Sequence, residues 1–325
     1  MSGIVPTFSF TTTADEVATA FAAEIEGKNV LITGTSLNGI GFETARVIAK
    51  YANLVIITGY NAERLERSVD AINKEVPNAN VYPLTLDLSS LAGVRKAADV
   101  VNASPEPLHV LIHNAAAAIG PFGLTVDKLE NQFATDHVGP FLLTKLLAPK
   151  LLAAATSEYT PRVVFVASAA HALGPGVDFE LLAHPDPQTY KSSTAYFQAK
   201  SANILAAIEL SKRSKGAINA YSLHPGIIAT NIARKEEAVA DLQALGILGP
   251  DGLPDHEKFQ WKTLPQGAAT TVAAAFDPRL NDKPGSYLED SSVANNSVAA
   301  HSSDPVNAEK LWSVTEKIIG ESFIF

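Results

Sequence analysis

Residues 29–41 read N-V-L-I-T-G-T-S-L-N-G-I-G, an apolar run that leads directly into a glycine-rich turn. The run predicts a buried strand, and the apolar spacing over residues 42–51 predicts a helix after the turn. Glycines between a strand and a helix let the backbone approach a pyrophosphate, whose charge the helix N-terminus stabilises. A glycine turn alone could equally be an ordinary tight turn. Motifs elsewhere in the chain are needed to show that this turn binds a nucleotide.

The same alternation of strands and helices continues along the chain. Further strands are predicted at 54–58, 81–86, 109–113 and 162–168, and further helices at 62–72, 89–101 and 304–320. Short apolar strands joined by helices are typical of a parallel sheet with helices on both faces. The expected fold is therefore α/β, a three-layer, doubly wound, Rossmann-like parallel sheet in a single domain.

Two segments stand apart from this alternation. Residues 1–27 precede the first strand, and the capping-box pattern of Thr13 and Glu16 predicts a short helix docked on the main domain. Residues 28–325 show no repeat or linker and are expected to form one Rossmann-like catalytic domain. Within them, 231–264 is rich in glycine, proline and charge, which predicts a substrate loop or lid.

Composition excludes several classes of function. The 325 residues carry a net charge of −9 without a basic run, which argues against nucleic acid or an anionic membrane as the main partner. The chain has no cysteine, so disulfides and thiolate chemistry are excluded, and no metal site is expected. No apolar run approaches the ~20 residues of a membrane span. A cytoplasmic location is expected because no secretory signal is recognisable.

A second informative stretch is S-T-A-Y-F-Q-A-K at 193–200. In a helix, Tyr196 and Lys200 lie on one face, and the ammonium favours phenolate over phenol. Such a tyrosine can exchange a proton with a carbonyl or a hydroxyl near neutral pH. A surface tyrosine packed against a lysine stem would show the same spacing, so the pair gains weight only beside the other motifs.

With the glycine turn and this pair together, the chain resembles the short-chain dehydrogenase/reductase family. More narrowly it is similar to the retinol-dehydrogenase-like and WW-domain-oxidoreductase-like branch, without a WW domain. The resemblance covers about residues 28–300, and its motifs occur in the family's order. The other motifs are Asp87-Leu88, H-N-A-A (113–116), A-S-A-A-H-A-L-G (167–174), S-A-N-I-L (201–205), H-P-G-I-I-A-T (224–230), Q-G-A-A-T-T-V (266–272) and S-Y-L-E-D (286–290).

The resemblance implies a nicotinamide dinucleotide at the carboxyl ends of the strands. The residues that it implies as contacts are Gly34, Ser36, Asn38, Gly39, Ile40, Gly41, Tyr60, Asn61, Arg64, Asp87, Leu88, Asn114, Ala115, Ala116, Tyr196, Lys200, Pro225, Gly226, Ile228 and Thr230. Two departures stand out. The turn has one extra residue between Gly34 and Gly39, and alanine replaces a family glycine at Ala116.

The choice between the two dinucleotides depends on the end of the second strand. NAD enzymes usually carry an acidic residue there, which binds the ribose 2′-hydroxyl, and T-G-Y-N (58–61) offers none. The arginine that the resemblance implies at Tyr60 for NADP users is also missing. Arg64 could bind the 2′-phosphate instead, or it could be a solvated helix residue. The absence of a repelling carboxylate favours NADP(H) over NAD(H).

The resemblance also assigns catalytic roles. Tyr196 exchanges the proton, Lys200 favours its release and holds the nicotinamide ribose, and Ser168 hydrogen-bonds the substrate oxygen. The fourth family position is an asparagine, which is Asp136 in F-A-T-D-H-V-G-P-F (133–141). Ionised aspartate cannot donate a hydrogen bond, and its charge would oppose deprotonation of Tyr196.

The favoured function is an NADP(H)-dependent carbonyl reductase or alcohol dehydrogenase acting on a mostly apolar ketone, aldehyde or secondary alcohol. Two alternatives stay open. The altered turn, Ala116 and Asp136 would suit a catalytically weak nucleotide-binding regulatory protein. An enone or C=C reductase, as in the protochlorophyllide-reductase relatives, would use the same fold. Specificity for the small-molecule substrate is expected to lie in 171–192 and 231–264, and the sequence is compatible with a homo-oligomer.

Overall fold

The computed structural model describes residues 6–117, 119–229 and 236–325. Its strands are β1 (Asn29–Ile32), β2 (Leu54–Gly59), β3 (Val81–Thr85), β4 (Val110–His113), β5 (Arg162–Val166), β6 (Asn219–Leu223), β7 (Ile227–Ile228), β8 (Trp261–Lys262), β9 (Tyr287–Glu289) and β10 (Ser292–Val293). Its α-helices are α1 (Ala14–Ala20), α2 (Ala22–Ile25), α3 (Ile40–Ile48), α4 (Ala62–Glu75), α5 (Leu91–Ala103), α6 (Asn131–Phe133), α7 (Gly139–Leu152), α8 (Phe179–Ala183), α9 (Ser192–Ser214), α10 (Glu236–Ala244), α11 (Leu264–Phe276), α12 (Ala300–Ser303) and α13 (Pro305–Ile319).

The central sheet has eight strands in the order β10-β9-β6-β5-β4-β1-β2-β3. All neighbouring strands are parallel except β9 and β10, which pair antiparallel. The chain runs outward in one direction from β1 to β3 and in the other from β4 to β6. The strand order therefore reverses between β1 and β4, and ligands of such sheets bind at the carboxyl ends of the strands at this point.

Helices cover both faces of the sheet and complete three layers. Successive strand residues point to opposite faces, so Leu31 and Leu111 join one apolar core while Ile32 and Ile112 join the other. Helices α5, α7, α9 and α13 pack on the first face, and α1, α3 and α11 pack on the second. The predicted doubly wound, single-domain α/β fold is confirmed.

The N-terminal helix forms as its capping box predicts. The Thr13 hydroxyl accepts from the Glu16 amide at 3.3 Å, and the Glu16 carboxylate accepts from the Thr13 amide at 2.7 Å. Helix α1 packs against α3 and α11, and Asp15 pairs with Arg46 of α3 at 2.5 Å. This extension is therefore docked on the domain at its second face.

The predicted elements differ from the observed ones mainly at their ends. Strand β3 contains Pro83, which is tolerated because β3 is the edge strand of the sheet. Strand β5 ends at Val166, and Ser168 instead caps the 3₁₀ turn over Ala169–Leu173. No helix of the three described ranges has the length and apolarity that a membrane crossing requires.

The helical segment between β4 and β5 is interrupted by a π-helical turn over Ala134–Val138. The amide of Gly139 donates to the carbonyl of Ala134, and Pro140 has no amide hydrogen to give the carbonyl of Asp136. The regular i→i−4 ladder is therefore interrupted at this turn. Turns of this kind are frequent at functional sites, and this one contains Asp136.

The segment predicted as a lid is only partly described. Residues 231–235 lie outside the described ranges, and the remainder contains α10 and the short strand β8. Strand β8 pairs in parallel with β7 in a separate two-stranded sheet, with Ile227 opposite Trp261 and Ile228 opposite Lys262. The base of the segment is therefore joined by backbone hydrogen bonds to the residues that follow Gly226.

Candidate active site

The glycine turn after β1 is packed so tightly that side chains would not fit. A Cβ at Gly41 would lie 2.3 Å from the Asn114 amide nitrogen, and a Cβ at Gly34 would lie 2.6 Å from Cα of Ala115. Gly34 also has φ +72°, which favours glycine. The two glycines thus bring the first turn directly against the loop that follows β4.

The extra residue of this turn is absorbed locally. The amide of Gly39 donates to the carbonyl of Ser36 at 3.1 Å, and Asn38 adopts φ 60°. Asparagine is one of the few non-glycine residues that tolerates this left-handed conformation. Gly39 is the N-cap of α3, and no side chain of the cap accepts a hydrogen bond from the first helical amides. These amides therefore lie near the carboxyl end of β1 without a capping side chain.

The loop after β4 supports the turn from the other side. The Asn114 amide donates to the carbonyls of Thr33 and Gly34 at 3.0 and 2.9 Å, and the amides of Asn114 and Ala115 donate to the Thr33 hydroxyl at 3.0 Å each. Asn114 therefore binds the turn itself. Ala116 is not among the residues with positive φ, so alanine fits without backbone strain where the family has glycine.

Three predicted residues lie together at the carboxyl end of β2. The Asn61 side chain caps α4 by accepting from the Arg64 amide at 2.9 Å. The Tyr60 side chain is 70 % exposed, and its hydroxyl accepts from Arg64 at 3.4 Å. Tyr60 and Arg64 therefore present one phenol and one guanidinium at the surface, while Asn61 mainly starts the helix.

The next strand places Asp87 and Leu88 as predicted at its carboxyl end. The Asp87 carboxylate accepts from the amide and the hydroxyl of Ser89 at 2.9 and 2.6 Å. Leu88 is buried, and its carbonyl would lie 2.3 Å from a Cβ at Gly139. Gly139 thus lets the helix that follows Asp136 pack closely on this loop.

The segment Pro225–Ile228 is held by a lysine that sequence reasoning missed. Gly226 has φ +95°, and a Cβ there would lie 2.6 Å from Cδ of Lys262. The buried Lys262 ammonium pairs with Asp290 at 2.5 Å and lies 4.9 Å from the ring centroid of Phe10. The predicted Thr230 lies outside the described residues. Only the S-Y-L-E-D motif, which ends at Asp290, gave a signal in the sequence.

Helix α9 places Tyr196 and Lys200 on one face, as their spacing predicted. The Lys200 ammonium lies 5.3 Å from the centroid of the Tyr196 ring and donates to the carbonyl of Val166 at 3.4 Å. The Lys200 side chain is 3 % exposed, whereas Tyr196 is only partly buried. A buried ammonium thus lies beside a phenol that solvent or substrate can reach.

Ser168 follows β5 directly, at the same edge of the sheet. Its hydroxyl accepts from the Ala170 amide at 3.2 Å. The ring of His171 contacts the Ser168 carbonyl through Nδ1 at 2.7 Å, and its Nε2 accepts from the Ala299 amide at 3.2 Å. Since Nε2 accepts, Nδ1 carries the proton and donates. Burial lowers the pKa of His171, which favours this neutral form.

The Asp136 carboxylate is fully buried and faces Lys200. Its Oδ1 accepts from the Ala117 amide at 2.6 Å, and its Oδ2 lies 3.2 Å from the Lys200 ammonium. Burial raises the pKa of Asp136, and Lys200 opposes that rise. Burial alone would lower the pKa of Lys200, but the nearby Asp136 and Tyr196 together outweigh it and the pKa is raised. The family asparagine is therefore replaced by the partner of an ion pair.

A cleft of about 500 Å³ opens beside the start of α9. It is lined by Gly120, Pro121, Tyr190, Lys191, Ser192, Ser193 and Asp241. The Ser192 hydroxyl donates to the Asp241 carboxylate of α10 at 2.5 Å. A small neighbouring pocket shares Tyr190, whose hydroxyl accepts from Gln132 at 2.7 Å and donates to the Gly120 carbonyl at 3.0 Å.

This arrangement fits a dinucleotide at the carboxyl ends of β1, β2 and β4. Close backbone approach at Gly34 and Gly41, the uncapped start of α3 and the exposed Tyr60 and Arg64 suit a pyrophosphate and an adenosine ribose. Lys200 and the Gly226 segment lie on the other side of the switch point. Apart from Tyr196 and Lys200 of α9, the described residues of the predicted set follow the carboxyl ends of β1, β2, β3, β4 and β6.

Comparison with known proteins agrees with this geometry. The model of the short chain dehydrogenase family matches residues 28–177. The chloroplastic short-chain dehydrogenase TIC 32 A of Brassica napus is 38 % identical over 89 % of this chain and 88 % of its own length. WW domain-containing oxidoreductase of Danio rerio is 35 % identical over 92 % and 70 %, and retinol dehydrogenase 12 of Mus musculus is 33 % identical over 91 % and 88 %.

A solved structure described as an uncharacterized protein from Mycobacterium paratuberculosis shares the fold with a TM-score of 0.69. It is 27 % identical and is matched over 94 % of this chain and 98 % of its own. The chain therefore belongs to the short-chain dehydrogenase/reductase family. It is an oxidoreductase of the retinol-dehydrogenase-like and WW-domain-oxidoreductase-like branch, which confirms the predicted family. The family binds a nicotinamide cofactor and acts on small molecules.

Proposed function

We propose that the protein is an NADP(H)-dependent carbonyl reductase, which also runs in reverse as an alcohol dehydrogenase, on a mostly apolar ketone, aldehyde or secondary alcohol. The observation that carries this proposal is the position of Lys200, whose buried ammonium lies 5.3 Å from the Tyr196 ring on the same helix face. Ser168 lies at the adjoining strand end. A hydroxyl, a phenol and an ammonium in this order suit proton exchange with a carbonyl oxygen.

The residues divide the chemistry among them. When bound, the nicotinamide supplies or accepts the hydride at the substrate carbon. The Tyr196 hydroxyl gives the proton to the substrate oxygen, or takes it in the reverse direction. The Ser168 hydroxyl donates to the same oxygen while negative charge develops there. The Lys200 ammonium favours the phenolate and has a hydrogen to offer the nicotinamide ribose.

The preference for NADP(H) rests on the end of β2. The surface there holds Arg64 and Tyr60 in contact at 3.4 Å, with Asn61 as the helix cap between them. A guanidinium binds a phosphate strongly. Residues 58–61 also lack the acidic side chain with which NAD enzymes bind the ribose 2′-hydroxyl. One exposed arginine supports a modest preference rather than a strict one.

The substrate is expected to enter through the cleft beside Tyr190. Phe122 and Tyr190 pack edge to face at 5.3 Å between ring centroids, and the neighbouring pocket adds Phe133, Leu181 and Leu182. These walls suit an apolar group next to the reacting carbonyl. Asp241 of α10 closes the polar side of the cleft, which is consistent with a lid role for the 231–264 segment.

The direct experiment is a panel of ketones, aldehydes and enones offered with NADPH or NADH and followed at the nicotinamide absorbance. We expect NADPH oxidation with bulky apolar ketones or aldehydes. Turnover of enones alone, with reduction of the C=C bond, would replace the carbonyl assignment. Absence of turnover together with tight dinucleotide binding would favour the regulatory alternative.

Two further properties stay predictions. A cytoplasmic location is proposed from the sequence and can be tested by tagging the full chain and fractionating cells. A homo-oligomer is compatible with the sequence, and sedimentation of the purified protein with and without NADPH measures it directly.

A further inference from the structure

The ion pair between Asp136 and Lys200 changes the charge of the catalytic centre. Both side chains are 3 % exposed or less, so water contributes little screening. Asp136 Oδ1 is occupied by the Ala117 amide, and Oδ2 has no hydrogen-bond partner among the described residues. Its Oδ2 instead lies 3.2 Å from the Lys200 ammonium.

Burial makes either charge alone unfavourable, so the two groups stabilise one another's ionised forms. An isolated buried ammonium tends to lose its proton and an isolated buried carboxylate tends to gain one. Asp136 raises the pKa of Lys200 against the effect of burial, which keeps the ammonium charged. The amide of an asparagine at this position could not supply that compensation.

Other titratable groups near the pair are few. Tyr196 faces Lys200 from one helical turn away. Asp136 acts on Glu130, whose carboxylate accepts from the Gln132 and Phe133 amides and lies beside Tyr190. Burial raises the pKa of Glu130 above its ordinary value, and the two amide hydrogen bonds oppose that rise. His113 and His137 turn away, toward Thr144 and Thr315, and burial lowers the pKa of each to about 3.

We propose that Asp136 is the ionised counter-ion of Lys200, and that the pair presents Tyr196 with less positive charge than an unpaired lysine would. Asp136 is a positioning residue in this account, because it acts through Lys200. The consequence for turnover rests on the proposed function, whereas the charge of the centre does not.

The sign of the effect follows from the charges. With Asp136 ionised, the pair is neutral and Lys200 favours the phenolate less than an unpaired ammonium would. Asp136→Asn leaves Lys200 unpaired, so Tyr196 should lose its proton at a lower pH. An unpaired positive charge at this range typically moves such a midpoint by about 1–3 pH units. We expect the midpoint to fall by about one unit or more.

The test is a spectroscopic pH titration of phenolate absorbance, which needs no substrate. Wild type and Asp136→Asn are each titrated with and without Tyr196→Phe, and the difference isolates Tyr196. Burial raises the pKa of Tyr190 and of Tyr221 to about 12, so these two titrate later. A lower midpoint in Asp136→Asn supports the proposal, and an unchanged or higher midpoint in a variant with an intact thermal unfolding transition overturns it.

Two further variants test whether a shift of the Tyr196 midpoint arises from the Asp136–Lys200 ion pair or from the loss of any nearby carboxylate. Glu130→Gln removes a neighbouring carboxyl group that is not paired with Lys200, so it should move the midpoint much less; an equal shift would contradict the proposal. In a Lys200→Met background, Asp136 loses its counter-ion and takes a proton. Asp136→Asn should then shift nothing, and a persisting full shift would show that Lys200 is not the mediator.

The pH dependence of turnover is measured separately from the phenolate titration, because only turnover depends on the proposed function. If a carbonyl substrate is found, the pH at which alcohol oxidation rises should fall in Asp136→Asn by the same amount as the phenolate midpoint. If no substrate is turned over, the proposed function fails, and the phenolate titration still decides whether Asp136 neutralises Lys200.

Discussion

The proposed cofactor edge and the proposed substrate cleft of this molecule are built in different ways. The cofactor edge, at Gly34, Gly41 and Asn114, is held by backbone atoms in contact with backbone or with one amide side chain. The substrate cleft is held by side chains from segments far apart in the chain, such as Ser192 with Asp241 and Phe122 with Tyr190.

This difference indicates which region leaves a sequence motif and which region determines substrate specificity. Backbone contacts need particular residue types at a fixed spacing, so they leave a motif and tolerate little change. Side-chain contacts between loops can be met by many residue pairs, so they vary between relatives and carry specificity. Helix α9 joins the two regions, because Ser192 lines the cleft at one end and Lys200 is buried two turns further on.

The largest expected effect is at this junction. Tyr196→Phe removes the proton donor but little binding surface, so turnover should fall by about 10²–10⁴-fold while dinucleotide affinity is kept. Lys200→Ala should reduce both turnover and affinity, because the ammonium serves both. Steady-state kinetics with calorimetric NADPH binding measures the two quantities, and equally mild effects of both substitutions would place the proton donor elsewhere.

Gly41→Ala should break the cofactor edge while the cleft is unchanged. Its Cβ would lie 2.3 Å from the Asn114 amide, so the turn must shift, and strain of about 1–3 kcal/mol corresponds to roughly 5- to 150-fold weaker NADPH binding. Gly123→Ala is the matched control, since a Cβ there meets nothing within 4 Å. Calorimetry measures the NADPH dissociation constant of both variants. Full NADPH affinity in Gly41→Ala would show that close packing at Gly41 is not needed for binding.

Asp241→Asn should affect the cleft while the cofactor edge is unchanged. It removes the charge from the Ser192 hydrogen bond, which is worth about 1 kcal/mol or somewhat more. We expect the substrate KM to rise about three- to tenfold at an unchanged Kd for NADPH. Ser192→Ala completes a double-mutant cycle, and strictly additive effects of the two substitutions would mean that the contact does not hold the cleft closed.

Tyr60→Arg should increase the preference for NADPH over NADH by a small factor. A second guanidinium beside Arg64 adds a partner for a 2′-phosphate, so the ratio of NADH to NADPH dissociation constants should widen a few-fold. Competition binding with both dinucleotides measures it. Wild-type preference for NADH would refute the NADP(H) proposal, whatever the variant does.

Much of the fold was predictable because its cause is local. The buried strands, the capping box at Thr13 and the helix start at Asp304 follow from apolar spacing and capping chemistry within a few residues. The glycine turn and the Tyr196/Lys200 pair were predictable for the same reason.

The remainder depends on contacts that no local pattern records. The π-helical turn contains Asp136, but the consequence appears only in the folded chain, where the Asp136 carboxylate lies 3.2 Å from the Lys200 ammonium. The contact of Lys262 with Gly226 joins a segment without a recognisable motif to one with a clear motif. The sequence indicated only that the charge of Asp136 would oppose deprotonation of Tyr196, and its distance from Lys200 shows that it is an ion-pair partner.

The most direct measurement of the central claim is calorimetric titration of the wild-type protein with NADPH and with NADH. The account predicts one site per chain, tighter binding of NADPH than of NADH, and a weaker site in Gly41→Ala but not in Gly123→Ala. Failure to bind either dinucleotide would contradict it, because the cofactor edge would then hold the fold together without holding a cofactor.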